Sequence, residues 1–221
     1  MGDLQFGQIA AYLPDLIDGA IVTIRLSAIS IAMGLLVGLA LALARFSALR
    51  LLSWPAYAYI EFFRTTPPLV QIVWLYYGLP LMIGHDLDAF WSAAVALGLN
   101  ISAFFAEIFR AGIAGIDRTQ WQAARVLGLP MQDTLRFVIL PQAFQNVLPA
   151  TGTTVIYLIK GTALATAIGT PELLRVGQLI ALETFRPVET LTLVAIAYFV
   201  LTYPIALAFQ GIERRLARSR V

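Results

Sequence analysis

Five stretches of this chain contain no Asp, Glu, Lys, Arg or His: residues 26–44, 65–84, 89–106, 137–159 and 190–212. A helix needs roughly 20 residues to cross the hydrocarbon core of a bilayer, and a backbone at that depth must close its own hydrogen bonds. The pattern therefore predicts an all-α integral membrane protein with about five transmembrane helices. Only 13% of the 221 residues are charged, against about a quarter in ordinary soluble domains, so too little charged surface is left to keep such runs in water. The ends of the spans extend past the uncharged cores. Span one is expected to begin near Ala20, with Arg25 close to its end. Span two is expected to begin near Trp54, bringing Glu61 and Arg64 into the membrane region, and span three to continue through Glu107 to about Ala111.

Basic residues set the orientation, because cytoplasmic segments collect Lys and Arg. With the N-terminus outside, the inner segments hold Arg45, Arg50, Arg110, Arg118, Arg125, Arg136, Arg214, Arg215, Arg218 and Arg220, and the outer ones only Arg25, Arg175 and Arg186. An odd number of spans then puts the C-terminus inside. The first eighteen residues carry Asp3, Asp15 and Asp18 and no Lys or Arg, unlike the positive start of a cleaved leader. The first apolar run is therefore read as a retained span.

Several function classes are disfavoured. There is no cysteine, hence no disulfide and no thiolate nucleophile or metal ligand. The one histidine, His85, lies in the loop GHDLD and is assigned no role; a histidine-built metal site is not expected. The chain has no G-x-x-x-x-G-K-[ST], no G-x-S-x-G and no H-E-x-x-H. We expect no catalytic residue, no metal and no cofactor in this chain, which is read as not an enzyme. The charges sit in short clusters between apolar runs and form no basic face, so nucleic acid is not an expected partner; membrane lipid is.

Within the spans, Gly34, Gly38 and Ala42 form a small-residue stripe of the kind that lets helices approach closely, expected to serve packing inside the bundle. Ionisable groups at membrane depth usually face protein or a wet cavity. Glu61 and Arg64 are three residues apart and share a helix face. They precede TTPPL, where Pro67 and Pro68 disrupt the helix, and broken helices at mid-membrane are a common way to build a transport site. A Glu–Arg pair that merely locks two helices is the other reading. Lys160, followed by Gly161 and Thr162, either lines a polar path or snorkels to the outer interface. Glu107 can pair with Arg110 and is taken as structural. Between spans three and four, TQWQAARVLG (119–128) reads as a helix ending at a glycine stop, and Pro130 closes it. A second helix starts near Gln132 and runs into span four, which carries Pro141 and Pro149. Spacing leaves two readings of this element level: a docking surface, where small Ala123, Ala124 and Gly128 admit a partner, or a helix lying on the bilayer.

The same segment, QAARVLGLPMQDTLRFVILP (122–141), resembles the EAA loop of binding-protein-dependent ABC importer permeases. Ala123, Ala124, Gly128, Leu140 and Pro141 match; Gln122 replaces the usual acid and Val138 the usual Ile. IEFFRTTPPLVQIVWLYYGLP (60–80), AEIFRAGIAGIDRTQWQAA (106–124) and LIKGTALATAIGTPEL (158–173) are similar to the polar amino acid branch of that family, and the likeness covers roughly residues 18–215.

The resemblance implies an ABC type I importer permease fold: an external N-terminal segment at 1–18, a permease domain at 19–215 and a basic cytoplasmic tail at 216–221. It implies residence in the bacterial inner membrane and a pathway shared with a second, identical or homologous permease. An extracytoplasmic solute-binding protein and ABC ATPase subunits, which would hold ATP and magnesium, are the further implied partners. Gln122, Ala123, Ala124, Gly128, Leu129 and Gln132 would meet the ATPase; Glu61, Arg64, Pro67, Gln71, Lys160, Gly161 and Thr162 would belong to the substrate pathway. Where the family writes K-D-T-S-L, this chain has Gly161 for the acid and Ala163 for the serine, which implies that strongly cationic substrates are not favoured. A self-powered channel or secondary transporter is the alternative; it would call for inverted repeats or a mid-span carboxylate without an arginine neighbour.

Overall fold

The structure is a computed structural model that describes residues 6–218, with side chains to Leu216. Asp3, Arg220 and the greater part of the 216–221 tail lie outside the described residues. Every element among the described residues is helical. After a short turn of helix at Phe6–Ile9, α1 runs Leu13–Phe46, followed by α2 (Arg50–Thr65), α3 (Pro68–Ile83), α4 (Ala89–Ala114), α5 (Arg118–Val126), α6 (Met131–Ile168), α7 (Leu173–Thr184) and α8 (Pro187–Arg218). Helices α1, α4, α6 and α8 are each long and apolar enough to cross a membrane, and the bent pair α2–α3 can serve as a fifth span.

Span one starts earlier than Ala20. Pro14 stands in the first turn of α1, where its missing N–H costs nothing, and Asp15 favours the positive helix end. The boundary between residues 18 and 19 thus falls inside a continuous helix. The second span is not one rod from Trp54; the chain bends by 105° between its two limbs. The cause is local. A residue before proline is driven out of the helical region. Thr66 and Pro67 are accordingly extended (ψ 141° and 131°), while Pro68 restarts a helix at its N-terminal position. An additional helix, α7, was not foreseen. Glu172 caps it by accepting from the amides of Leu174 (2.9 Å) and Arg175 (2.8 Å).

The core lies where α1 packs along α4, the most extensive helix pair in the fold. Gly34, Gly38 and Ala42 are buried there, so the small-residue stripe serves the bundle. A Cβ on Gly38 would lie 2.8 Å from both Phe105 Cβ and the Ser102 carbonyl oxygen. With no water to squeeze out between apolar helices, such close van der Waals contact is what holds them together. Polar side chains close the remaining backbone groups: Ser30 donates to the Ala94 carbonyl (3.0 Å) and Tyr59 to that of Leu99 (3.1 Å). Beyond α6, the amide of Leu173 donates to Thr23 Oγ1 on α1 (3.1 Å), and Tyr198 on α8 donates to Glu172 (2.8 Å). These bonds tie α7 to two spans. Burial pushes the Glu172 carboxyl up, while the bonds it accepts pull it back. In contrast, only 6% of the apolar window of α8 is fully buried, and its outer side is a surface fit for lipid or for another membrane chain.

Candidate functional site

Two regions collect the residues singled out in the sequence. The first is a groove of about 920 Å³ between α4 and α6, closed at one edge by the end of α2. Arg64, Phe104, Glu107, Asn146, Thr153 and Thr154 are among its lining residues. Arg64 sits in the last turn of α2 with its guanidinium 5.8 Å from the Phe104 ring centroid, a cation–π distance. Its contact with Glu61 is long (3.9 Å), and both side chains are partly exposed. Glu107 is held far more firmly: Arg110 Nη2 donates to it at 2.8 Å and Nε at 3.0 Å, a bidentate fork on one helix face. Among the described residues lining the groove, Glu107 is the one carboxylate, and Arg110 already engages it.

The groove brings together only some of the residues expected in a pathway. Arg64 lines it, whereas Glu61 is turned to Arg64 from one turn below. Lys160 is exposed on α6, seven residues after Thr153 and thus roughly 10 Å further along the axis; it does not line the groove. Gly161 has open space around it, and Thr162 is fully buried and bonds back to the Ile159 carbonyl. Pro67 forms the break itself. Gln71 works on the backbone that the break releases. Its amide nitrogen donates to the carbonyls of Phe63 and Thr66 (3.2 Å each), and Asn100 on α4 donates to Phe63 O (2.8 Å) and to Gln71 Oε1 (3.1 Å). The two amides cover the Phe63 carbonyl, whose ladder partner Pro67 removes, and the Thr66 carbonyl at the break itself, which is how a broken helix survives away from water.

Sequence reasoning missed the wall supplied by α6. Gln145, Asn146, Thr153 and Thr154 recur at helical spacing inside an uncharged span, a polar stripe that marks one face. Searching for charges alone passed over it.

The second region is α5 and the turn after it. Asp117 caps the helix, accepting from the Thr119 amide (2.8 Å) and hydroxyl (2.9 Å), and these bonds hold its carboxyl below the usual range. At the other end Gly128 takes φ +71°, its amide bonding Arg125 O and the next amide bonding Ala124 O. This is the left-handed stop that glycine makes without steric cost. Trp121 packs inward against Ile116, Ile139 and Ala143, and Ala124 is only 2% exposed, so its small size seats α5 on the bundle. The outward face carries Gln122 and Ala123 beside Val126 and Leu127, which are 87% and 75% exposed. Gly128, Leu129, Met131 and Gln132 continue that surface. The exposed Val126 and Leu127 escaped the sequence reading, which weighed small residues and overlooked large ones. Beneath α5, the first turns of α6 include a π-helical stretch at Thr134–Ile139 that ends two residues before Pro141, where the missing amide disturbs the regular ladder. The continuous α6 begins at Met131, close to the expected Gln132.

With this geometry in view, residues 13–219 match the sequence model of a family described as binding-protein-dependent transport system inner membrane component. The arginine transport system permease protein ArtQ of Bacillus subtilis is 35% identical over 214 residues, covering 97% of this chain and 98% of that protein. The glutamine transport system permease protein GlnP of Escherichia coli K12 is 36% identical over 205 residues, covering 92% and 94%. A chain in the crystal structure of an amino acid ABC transporter with histidines superposes with a TM-score of 0.91 at 37% identity, over 97% of this chain and 100% of that one. A chain of the inward-facing MetNI methionine transporter shares the fold at 22% identity, with a TM-score of 0.78.

Proposed function

We propose, from the premise that this chain belongs to the family of binding-protein-dependent transport system inner membrane components, which solute it passes and how it is driven. It is a permease subunit of an amino acid ABC importer, a multi-pass membrane protein that works with an ATPase and a binding protein. In our reading the N-terminus lies outside and the C-terminus in the cytoplasm, because ten arginines then fall inside and three outside. The groove between α4 and α6 forms one half of the pathway, with a second permease, identical or homologous, closing it. The outward face of α5 and its glycine turn receives the ATPase, and the inward face, pinned by Trp121, passes the motion to α4 and α6. Nucleotide can move this equilibrium only by interacting differently with the two states of the transporter.

For the solute, the observation that carries the reading is the chemistry of the groove. Its single carboxylate, Glu107, is occupied by Arg110, while Arg64, amides and hydroxyls supply the remaining polar lining. A guanidinium suits an α-carboxylate, and amides suit a neutral polar side chain. A cationic side chain would meet Arg64 and find no uncommitted acid. Gly161, at the acid's place in the K-D-T-S-L pattern that this segment resembles, points the same way. The relatives named for arginine and for glutamine divide on this issue, and the groove favours the glutamine type.

Direct binding to the permease–ATPase complex in nanodiscs, with no binding protein present, isolates the selectivity of the groove. Glutamine should bind roughly tenfold or more tightly than arginine or lysine, the worth of one unmatched charge. Preference for arginine or lysine would overturn the assignment.

A further inference from the structure

A separate cavity, about 530 Å³, lies apart from the groove at the joint between α1 and α2, its lining largely apolar but carrying two arginines. Arg45 from the last turn of α1 and Arg50 from the first turn of α2 line it, together with Leu51, Ser53, Trp54 and Tyr57. Neither arginine makes an ion pair with a described carboxylate. The guanidinium of Arg45 lies over the Tyr57 ring at 4.8 Å, and its Nε is buried with no hydrogen-bond partner. Among the described residues that nitrogen has no acceptor, and it is shielded from solvent, so the cavity meets Arg45 through the other atoms of its side chain.

Arg50 poses a second electrostatic problem. It stands at the positive end of a 16-residue helix whose first turn has no acidic residue and whose Leu49 cap supplies no side-chain bond. A cation there is disfavoured by the helix dipole, and although the Leu52 and Ser53 amides bond the Leu49 carbonyl, those of Arg50 and Leu51 stand at the open end. One bound anion answers the two arginine charges that line the cavity and the open helix end together.

The surroundings select the kind of anion. Leu49, Leu51 and Trp54 are 64%, 86% and 70% exposed around the cavity. α1 is a membrane span ending at Phe46, so the cavity lies at the end of a span, where aromatic residues mark the bilayer interface. A soluble anion has no use for that apolar rim, whereas a phospholipid would lay its acyl chains against it. We propose that Arg45, Arg50 and the α2 N-terminus form a binding site for the phosphodiester headgroup of an anionic phospholipid, with Trp54 and Tyr57 flanking it. The role is independent of the groove and of solute selection.

Trp54 supplies the reporter. The complete permease–ATPase complex is purified in detergent and titrated with brominated phosphatidylglycerol or brominated phosphatidylcholine, and tryptophan quenching is followed. Phosphatidylglycerol should quench at about thirtyfold lower concentration than phosphatidylcholine, as expected for two arginines near the surface. The difference should vanish in the Arg45→Gln/Arg50→Gln double variant and in Trp54→Phe. Millimolar inorganic phosphate should leave the quenching in place. Equal quenching by the two lipids in the unmodified protein would overturn the proposal with no variant required. Displacement of the lipid by inorganic phosphate would overturn it in favour of a soluble anion. Retained phosphatidylglycerol preference in the double variant would remove the arginines from the site.

Discussion

Gly38→Val should leave this permease far less stable than the unmodified protein. The first atom added at residue 38 would meet Phe105 Cβ and Ser102 O at 2.8 Å and the Ala106 amide nitrogen at 3.2 Å. Two of those three atoms are backbone, so α1 and α4 would have to part along the contact that forms the core. Overpacking of this kind costs about 3 kcal/mol when neighbours cannot yield. On the scaling for domains of this length, that corresponds to a fall in Tm of about 6–12 °C. Gly211→Val is the matched control, because nothing lies within 4 Å of Gly211. Melting of both variants in detergent, followed by fluorescence size exclusion, checks the expectation. Equal stability of the two would show that the α1–α4 approach is looser than described.

The second large effect concerns the ATPase. Gly128→Trp should abolish co-purification of the ATPase subunits and ATP-dependent uptake, while insertion into the membrane persists. Gly128 is exposed and takes φ +71°, and an added Cβ has no neighbour within 4 Å in the permease. The new side chain would project from the docking face, beside Val126, Leu127 and Leu129. Blocking the centre of an interface costs about 2 kcal/mol or more, at least thirtyfold in affinity. The left-handed backbone adds its own penalty for a bulky residue. Gly128→Asn separates these causes, since asparagine tolerates the left-handed conformation; it should keep most of the association. An intact complex with Gly128→Trp would count against α5 as the seat.

Much of this architecture was legible in the sequence because the bilayer imposes simple rules. Length without charge marks a span, and the Pro67–Pro68 pair marks a break, since proline removes amides and forbids the preceding helical turn. The 105° bend between α2 and α3 was not legible. It depends on Gln71 and Asn100 closing the released carbonyls across 37 residues of chain in the case of Asn100 and Phe63. Helix α7 was missed for a related reason. Its start rests on a buried glutamate whose partners, Tyr198 on α8 and the capped amides, are joined only in the folded bundle. In the groove, Arg64 was found by its charge, whereas the α6 wall was overlooked because its amides and hydroxyls pass for ordinary span residues. Around α5, the glycine stop and Pro130 were plain from local chemistry. Which of the two alanines faces outward was not, because that depends on Trp121 choosing its pocket under Ile139.

The central claim is that the outward face of α5 lies on the ATPase side of the membrane, opposite the side that meets the binding protein. The chain has no cysteine, so Gln122→Cys introduces a unique thiol at an exposed position. In intact spheroplasts a membrane-impermeant maleimide should leave that thiol unlabelled. In inverted membrane vesicles stripped of the ATPase the same reagent should label it fully, and adding the ATPase back should protect it. Labelling from the outer face of intact spheroplasts would contradict the account, since no ATPase could then reach α5.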